Sequence, residues 1–295
     1  MALVTCSEYP DGYFDEAPLV AALADLGIDA RFVVWDDPAV EWGLFDVTIL
    51  RSTWDYPPRR DEFLAWAATV PGLLNPLHAV RWSSDKRYFR ALVAGGAPCI
   101  PSTFVEPWDS PADAENVVRT VAAGSARFVV KPSVGAGSVD AGRFDSNDPS
   151  AVEQAVKHAR VLGESGRAAM VQPYLDGIDV TGETAVVYMG GEYSHAVRKE
   201  PMLLGGLTEF DGLFGDERIT PITPTAAELA AADRILAAAP FRGADLLYAR
   251  VDLLPGPDGS PLLLELELVE PSLFMADSPG ATERFAAAIA GRCRD

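Results

Sequence analysis

Cysteine and histidine are scarce in this chain of 295 residues. There are three of each: Cys6, Cys99 and Cys293; His78, His158 and His195. They form no CxxC pair and no cluster with metal-ligand spacing, which excludes a common zinc centre and a disulfide scaffold. The thiols read as small buried or incidental side chains. Positive charge is also short: 24 Lys and Arg stand against 43 Asp and Glu, a formal net charge of −19. That excess repels a phosphate backbone and argues against nucleic-acid binding, although a local basic cluster can still hold a small anion. No apolar run reaches the ~18 residues of a membrane span. The opening stretch Met1 to Cys6 has no basic segment ahead of a long apolar core. A cytoplasmic protein without membrane partners is therefore expected. What the chain does have is globular: 48% hydrophobic and 23% charged residues, enough length for a substantial core.

Short apolar runs at 2–6, 31–35 and 47–50 read as strands, and 16–26 and 62–70 as helices. Their alternation predicts a small parallel sheet. Ser83 to Lys86 reads as the capped start of a helix reaching about Val93, before Gly95-Gly96. Residues 102–175 read as strand, helix, strand, glycine loop, helix, strand, with Pro149 in the first turn of the second helix. Beyond Gly177 the pattern becomes strand pairs: 184–189 with 193–199 across Gly190-Gly191, and 247–254 with 262–269 across Pro-Gly-Pro-Asp-Gly. A helix over 226–238, a glycine-rich loop over 203–215 and a closing helix over 279–291 complete the reading.

Several segments carry possible chemistry. Lys131-Pro-Ser-Val-Gly-Ala-Gly-Ser138 is neither a Walker A loop nor GxGxxG. Gly135 and Gly137 would let backbone amides approach a phosphate, and Ser133 and Ser138 add hydroxyl donors. Lys86, Lys131 and Lys199 occupy distinct short contexts, although each alone also fits a solvated surface lysine. Glu265 and Glu267 share one strand face, and the hairpin brings Asp252 alongside. Three carboxylates on an otherwise apolar hairpin repel one another, and a hard divalent cation such as Mg²⁺ would neutralise them. Gln172-Pro-Tyr174 is either a simple hinge or a site for a ring, and Glu183 begins the next strand. Arg51, Ser52, Thr53, Trp54 and Asp55 follow a predicted strand end, the usual ligand edge of an open α/β sheet.

The order of these features resembles the ATP-grasp superfamily over nearly the whole chain. That resemblance implies an α/β (α+β) fold. An N-terminal parallel α/β module would span 1–82, a connecting helix and linker 83–101, a lid module 102–175 and a C-terminal antiparallel-sheet module 176–295. ATP, as co-substrate, would lie between the last two. By the resemblance, Lys86, Lys131 and Lys199 contact phosphates, and the loop Ser133, Gly135, Gly137 and Ser138 closes over them. Gln172 and Tyr174 flank adenine, and Glu183 meets ribose. Asp252, Glu265 and Glu267 hold Mg²⁺, with Mn²⁺ also suited. Glu267 stands where many members have asparagine. Arg51 to Tyr56 together with Leu264 to Pro271 resembles the branch containing the cyclo-ligase of D-cycloserine biosynthesis, which closes O-ureido-D-serine into an isoxazolidinone ring.

The expected activity is thus an ATP-dependent ligase forming a C–N bond through an acyl phosphate. Arg250 and Lys199 are its expected catalytic cations. Arg51 to Asp55, with Arg198, would bind a small amino-acid-like carboxylate substrate. No residue stands out as a general base; His195 is a weak candidate that reads better as structural. An intermolecular carboxylate–amine ligase differs in needing a second substrate, and a nucleotide-binding protein without turnover would have lost metal ligands. A monomer or homodimer is expected.

Overall fold

The computed structural model describes residues 1–200, 206–207 and 218–293. The first sheet uses β1 (Ala2–Thr5), β2 (Arg31–Val34), β3 (Thr48–Leu50) and β4 (Leu73–Leu74), with helices α1 (Ala17–Asp25), α2 (Arg60–Ala67) and α3 (Leu77–Ser83) between and after them. Its strand order is β2-β1-β3-β4, all parallel. β1 and β3 are fully buried, as expected of parallel strands covered on both faces.

Chain direction changes at Lys86. The helix expected over 83–93 is two pieces: α3 ends at Ser83, and α4 (Phe89–Ala94) follows a single 3-10 turn at Lys86–Tyr88. Asp85 is extended (φ −132°, ψ 114°) and caps that turn through Arg87 N. Lys86 N donates to Ser133 O at 2.7 Å, so its amide is engaged by the glycine loop instead of a helix.

The second sheet contains β5 (Thr103–Val105), β6 (Arg127–Pro132), β7 (Gly142–Asp145) and β8 (Ala169–Pro173). Helices α5 (Pro111–Ala123) and α6 (Pro149–Glu164) cover one face. Each starts at a side-chain cap, Ser110 on Asp113 N and Asp148 on Ser150 N, followed by proline, the arrangement favoured at helix starts. Val118, Val156 and Leu162 pack on Phe128 and Val130. Val129 and Lys131, on the alternate face of β6, line a cavity. After α7 (Ile178–Thr181) comes the third sheet: β9 (Glu183–Met189), β10 (Glu192–Lys199), β12 (Ile219–Ile222), β13 (Tyr248–Pro255) and β14 (Pro261–Glu267), in the order β12-β10-β9-β13-β14. β11 (Gly206–Leu207) pairs with β7. The remainder of the loop expected over 203–215 lies outside the described residues. Helices α8 (Ala226–Ala238) and α9 (Ala281–Arg292) pack on opposite faces of this third sheet. β7 and β12 were not anticipated. Pro221 interrupts the strand pattern of β12, and an edge position tolerates it.

Gly191 must be glycine, because its φ is +88° and a Cβ there would lie 2.9 Å from Ala244 Cα. One of the buried side chains that tie the first sheet to the third is Asn75. Asn75 Oδ1 accepts from Leu247 N at 2.7 Å, and its amide donates to Tyr248 O at 2.8 Å and Leu268 O at 2.9 Å. Asn75→Ala leaves these backbone groups unpaired in the interior and is expected to lower unfolding stability by about 3 kcal/mol. Urea denaturation checks this; a loss below about 0.5 kcal/mol would show that the link is dispensable.

Candidate active site

The cavity, about 490 Å³, lies among the three sheets, the Lys86 turn and the glycine loop. Strand alternation and pairing assemble its reactive wall. Arg250 and Asp252 share a face of β13, and register places Arg250 opposite Glu267 and Asp252 opposite Glu265 on β14. A bulge at Leu264 shifts the pairing beyond that point and sets the twist there. Lys199, at the end of β10, and Glu183, at the start of β9, are directly paired.

Each lysine meets carboxylates. Lys86 Nζ lies 2.9 Å from Glu265 and donates to Gly135 O at 2.9 Å. Lys131 Nζ is 4.0 Å from the other Glu265 oxygen. Lys199 bonds Glu183 and, at 3.2 Å, Asp252. Arg250 binds Asp252 at 2.8 Å, pairs with Glu267, and donates to Ser272 O at 3.1 Å. Its guanidinium is therefore largely engaged in holding Asp252, Glu267 and the segment after β14. In this structure it is not the free catalytic cation expected.

Even so, negative charge is in excess. Eight acidic side chains line the cavity against four basic ones among the described residues, the latter being Lys86, Lys131, Lys199 and Arg250. Burial pushes Glu183 up to about 8 against the pull of Lys199. Burial likewise lifts Glu267 to about 7 despite Arg250. For Asp252 burial acts in the same sense, but Arg250 and Lys199 outweigh it and hold the carboxyl well below the usual range. At Glu265 burial is outweighed by Lys86 and Lys131, which lower it. Burial lowers Lys131 despite Glu265. Glu183 and Glu267 thus tend to hold protons where further positive charge would replace them. The hard oxygen donors fit Mg²⁺. Among the described residues no three carboxylates converge on one metal position, because each is drawn toward a lysine or arginine. The repulsion expected of bare Asp252, Glu265 and Glu267 is in part relieved by these cations.

Of the other expected nucleotide contacts, Gly135, Gly137, Ser138, Gln172, Tyr174 and Glu183 line the cavity. Gln172 donates to Ser102 Oγ at 2.8 Å. Tyr174 lies between Arg127 and Arg143, each 4.9 Å from its ring centre. Ser133 does not line the cavity; its hydroxyl turns to Asp85.

The expected substrate segment requires correction. Arg51 is 1% exposed, bonded to Glu16 at 2.8 Å and set against the Tyr248 and Phe285 rings. It serves the junction between the first and third sheets. Ser52 donates to Glu16 at 3.0 Å, and Thr53 is fully buried. Asp55 accepts from Trp35 and pairs with Arg59. Arg198 points to Glu228, 3.8 Å away. Of these residues only Trp54 reaches the cavity, donating to Glu270 O at 2.9 Å. His195 is structural, with Nε2 at 2.7 Å from Leu273 O.

The chain is 37% identical to the cycloserine biosynthesis protein DcsG of Streptomyces lavendulae, covering 100% of this chain and 99% of that protein. It belongs to the DcsG family. The family model for the N-terminal domain of D-cycloserine synthetase DcsG matches residues 1–77. The crystal structure of D-cycloserine synthetase DcsG superposes with a TM-score of 0.88 at 37% identity, covering 99% of this chain and 98% of that one. The fold is ATP-grasp. It is shared with a RimK domain protein of Sphaerobacter thermophilus (TM-score 0.69, 16% identity, 99% and 98% covered). It is shared too with D-alanine–D-alanine ligase of Bacillus anthracis complexed with ATP (TM-score 0.68, 15% identity, 99% and 97% covered). DcsG-family membership and this fold make the chain an ATP-dependent ligase. No helix among the described residues is long and apolar enough to cross a membrane.

Four cavity carboxyls were missed by sequence reasoning, Asp15, Glu200, Glu270 and Asp277, of which Asp15 and Glu270 are buried. Asp15 sits in the turn before α1, where an Asp-Glu pair reads as ordinary helix-start acids. Glu270, just past β14, is 8% exposed and forms no ion pair among the described residues. Burial, then Glu267, raises its carboxyl well above the usual range. Its position before Pro271 was the only local signal.

Proposed function

We propose that this ligase phosphorylates the carboxylate of O-ureido-D-serine and closes the resulting acyl phosphate to D-cycloserine. The full-length similarity to a cycloserine biosynthesis protein supports cycloserine as the product. The observation that carries the reaction type is the convergence of Lys86, Lys131 and Lys199 on the Asp252–Glu265–Glu267 hairpin.

A carboxylate is a poor acyl donor because it would have to expel oxide; phosphorylation supplies a good leaving group. The ATP phosphates would take over the three lysines now paired with carboxylates, and the carboxylates so released would hold Mg²⁺ through Glu265, Glu267 and Asp252. Bound there, Mg²⁺ would screen the charge of the transferring phosphoryl group. Arg250 fixes Asp252 and Glu267 from behind. The cavity-lining part of the glycine loop, Gly135 to Ser138, would cover the phosphates and exclude water, which would otherwise hydrolyse the acyl phosphate. The substrate nitrogen bonded to oxygen attacks the activated carbonyl, and phosphate leaves with the former carboxylate oxygen. Attack within one molecule benefits from proximity. The carbamoyl group on that nitrogen must then be lost by hydrolysis, as ammonia and carbon dioxide, for cycloserine to result.

The test supplies ATP, Mg²⁺ and O-ureido-D-serine alone and follows ADP and product mass together. One cycloserine per ADP is expected. ADP release only after a second amine is added would replace ring closure by intermolecular ligation. ATP binding without ADP release across a broad amino-acid panel would contradict a ligase.

A further inference from the structure

The cavity wall contributed by the first sheet carries no lysine, yet it holds a buried carboxyl without a counter-ion among the described residues. Asp15 is 5% exposed and lines the cavity. Its neighbour Glu16 takes the nearby cation and hydroxyl: Oε1 lies 2.8 Å from Arg51, and Oε2 accepts from Ser52 Oγ at 3.0 Å and Tyr13 N at 3.2 Å. Asp15 keeps the backbone N–H of Met275 and forms no ion pair among the described residues. Burial, with Glu16 beside it, pushes its carboxyl up to about 7. Aromatic side chains line the same cavity. Tyr13 and Trp54 meet edge to face at 4.9 Å, and Phe14 and Phe274 line the same cavity.

A buried carboxylate with no cation is unfavourable in isolation. In a cavity lined by aromatic side chains it complements a protonated amine, which gains a charge-assisted hydrogen bond and apolar surroundings for its carbon frame. We propose that Asp15 binds the protonated α-amine of the substrate and so selects amino acids over simple carboxylic acids. This rests on the cavity being the site of carboxylate activation. The amine is unchanged by ring closure, so Asp15 holds substrate and transition state alike. Its loss therefore appears in KM, with kcat little altered.

The test compares the full chain with Asp15→Asn, using ADP release at saturating ATP and Mg²⁺. KM for O-ureido-D-serine is expected to rise roughly 10- to 150-fold in the variant, the loss of one hydrogen bond to a charged group, while KM for ATP holds. The des-amino counterpart, 3-(ureidooxy)propanoate, is expected to inhibit both proteins equally. In the wild type, KM should also rise as pH falls below about 7 and Asp15 takes up a proton. The charged groups facing Asp15 are Glu16 and Arg51, paired with each other, and Asp277. Asp15→Asn should remove that acid limb. An unchanged KM, or an equal loss of affinity for the amine-bearing and des-amino compounds, would overturn the proposal. If the asparagine variant does not fold, Asp15→Glu decides. It should keep the acid limb and the preference for the amine, and loss of that preference in a folded protein overturns the role. No ADP release by the wild type with O-ureido-D-serine would instead remove the functional reading on which the proposal rests.

Discussion

Glu265→Ala is expected to reduce ADP release by about 10³-fold or more, the scale of removing a principal electrostatic group from an active site, while the fold survives. Glu265 is the shared partner of Lys86 and Lys131, at 2.9 and 4.0 Å. Its side chain is 25% exposed toward the cavity, so truncation removes no core packing. It does remove the largest influence that keeps Lys131 protonated against burial, and it deletes an oxygen donor from the proposed Mg²⁺ site. Steady-state ADP release and thermal unfolding, measured side by side, separate the two effects. Activity within about tenfold of wild type would take Glu265 out of the site.

Arg250→Met should affect both folding and turnover. The guanidinium is 6% exposed and carries Asp252, Glu267 and the Ser272 carbonyl. Methionine fills much of the volume but leaves two carboxylates facing each other in the interior. Removing one partner of a buried ion pair costs about 3–5 kcal/mol, which urea denaturation reads directly. Adding Asp252→Asn should restore part of that stability, because one unpaired charge is gone, without restoring ADP release. A loss below about 1 kcal/mol for Arg250→Met would mean that Lys199 alone suffices to hold the cluster. Recovery of turnover in the double variant would contradict a role for Asp252.

The hairpin was readable because its determinants are local. Period-two alternation puts Arg250 with Asp252 and Glu265 with Glu267 on one face, and Pro-Gly-Pro-Asp-Gly closes the turn between them. Lys131 at a strand end and the paired glycines at 190 and 191 were legible for the same reason. The substrate end was not. Arg51 follows β3 as a ligand-binding residue should, yet its partner Glu16 precedes α1 and its ring neighbours Tyr248 and Phe285 come from the far end of the chain. No local pattern shows that Glu16 captures this arginine and leaves Asp15 without one. Lys86 misled in a similar way. Ser83 and Ser84 look like helix caps, but the backbone bond from Lys86 to Ser133 turns the chain out of the helix. Strand faces follow from spacing, whereas which charge meets which depends on tertiary packing.

Labelling both carboxylate oxygens of O-ureido-D-serine with ¹⁸O tests carboxylate activation most directly. Ring closure through an acyl phosphate must carry one of those oxygens into the released phosphate, and mass spectrometry of the phosphate should find one ¹⁸O for each ADP formed. Unlabelled phosphate accompanying ADP release would mean that water, not the substrate carboxylate, receives the phosphoryl group, and the proposed chemistry of this cavity would be wrong.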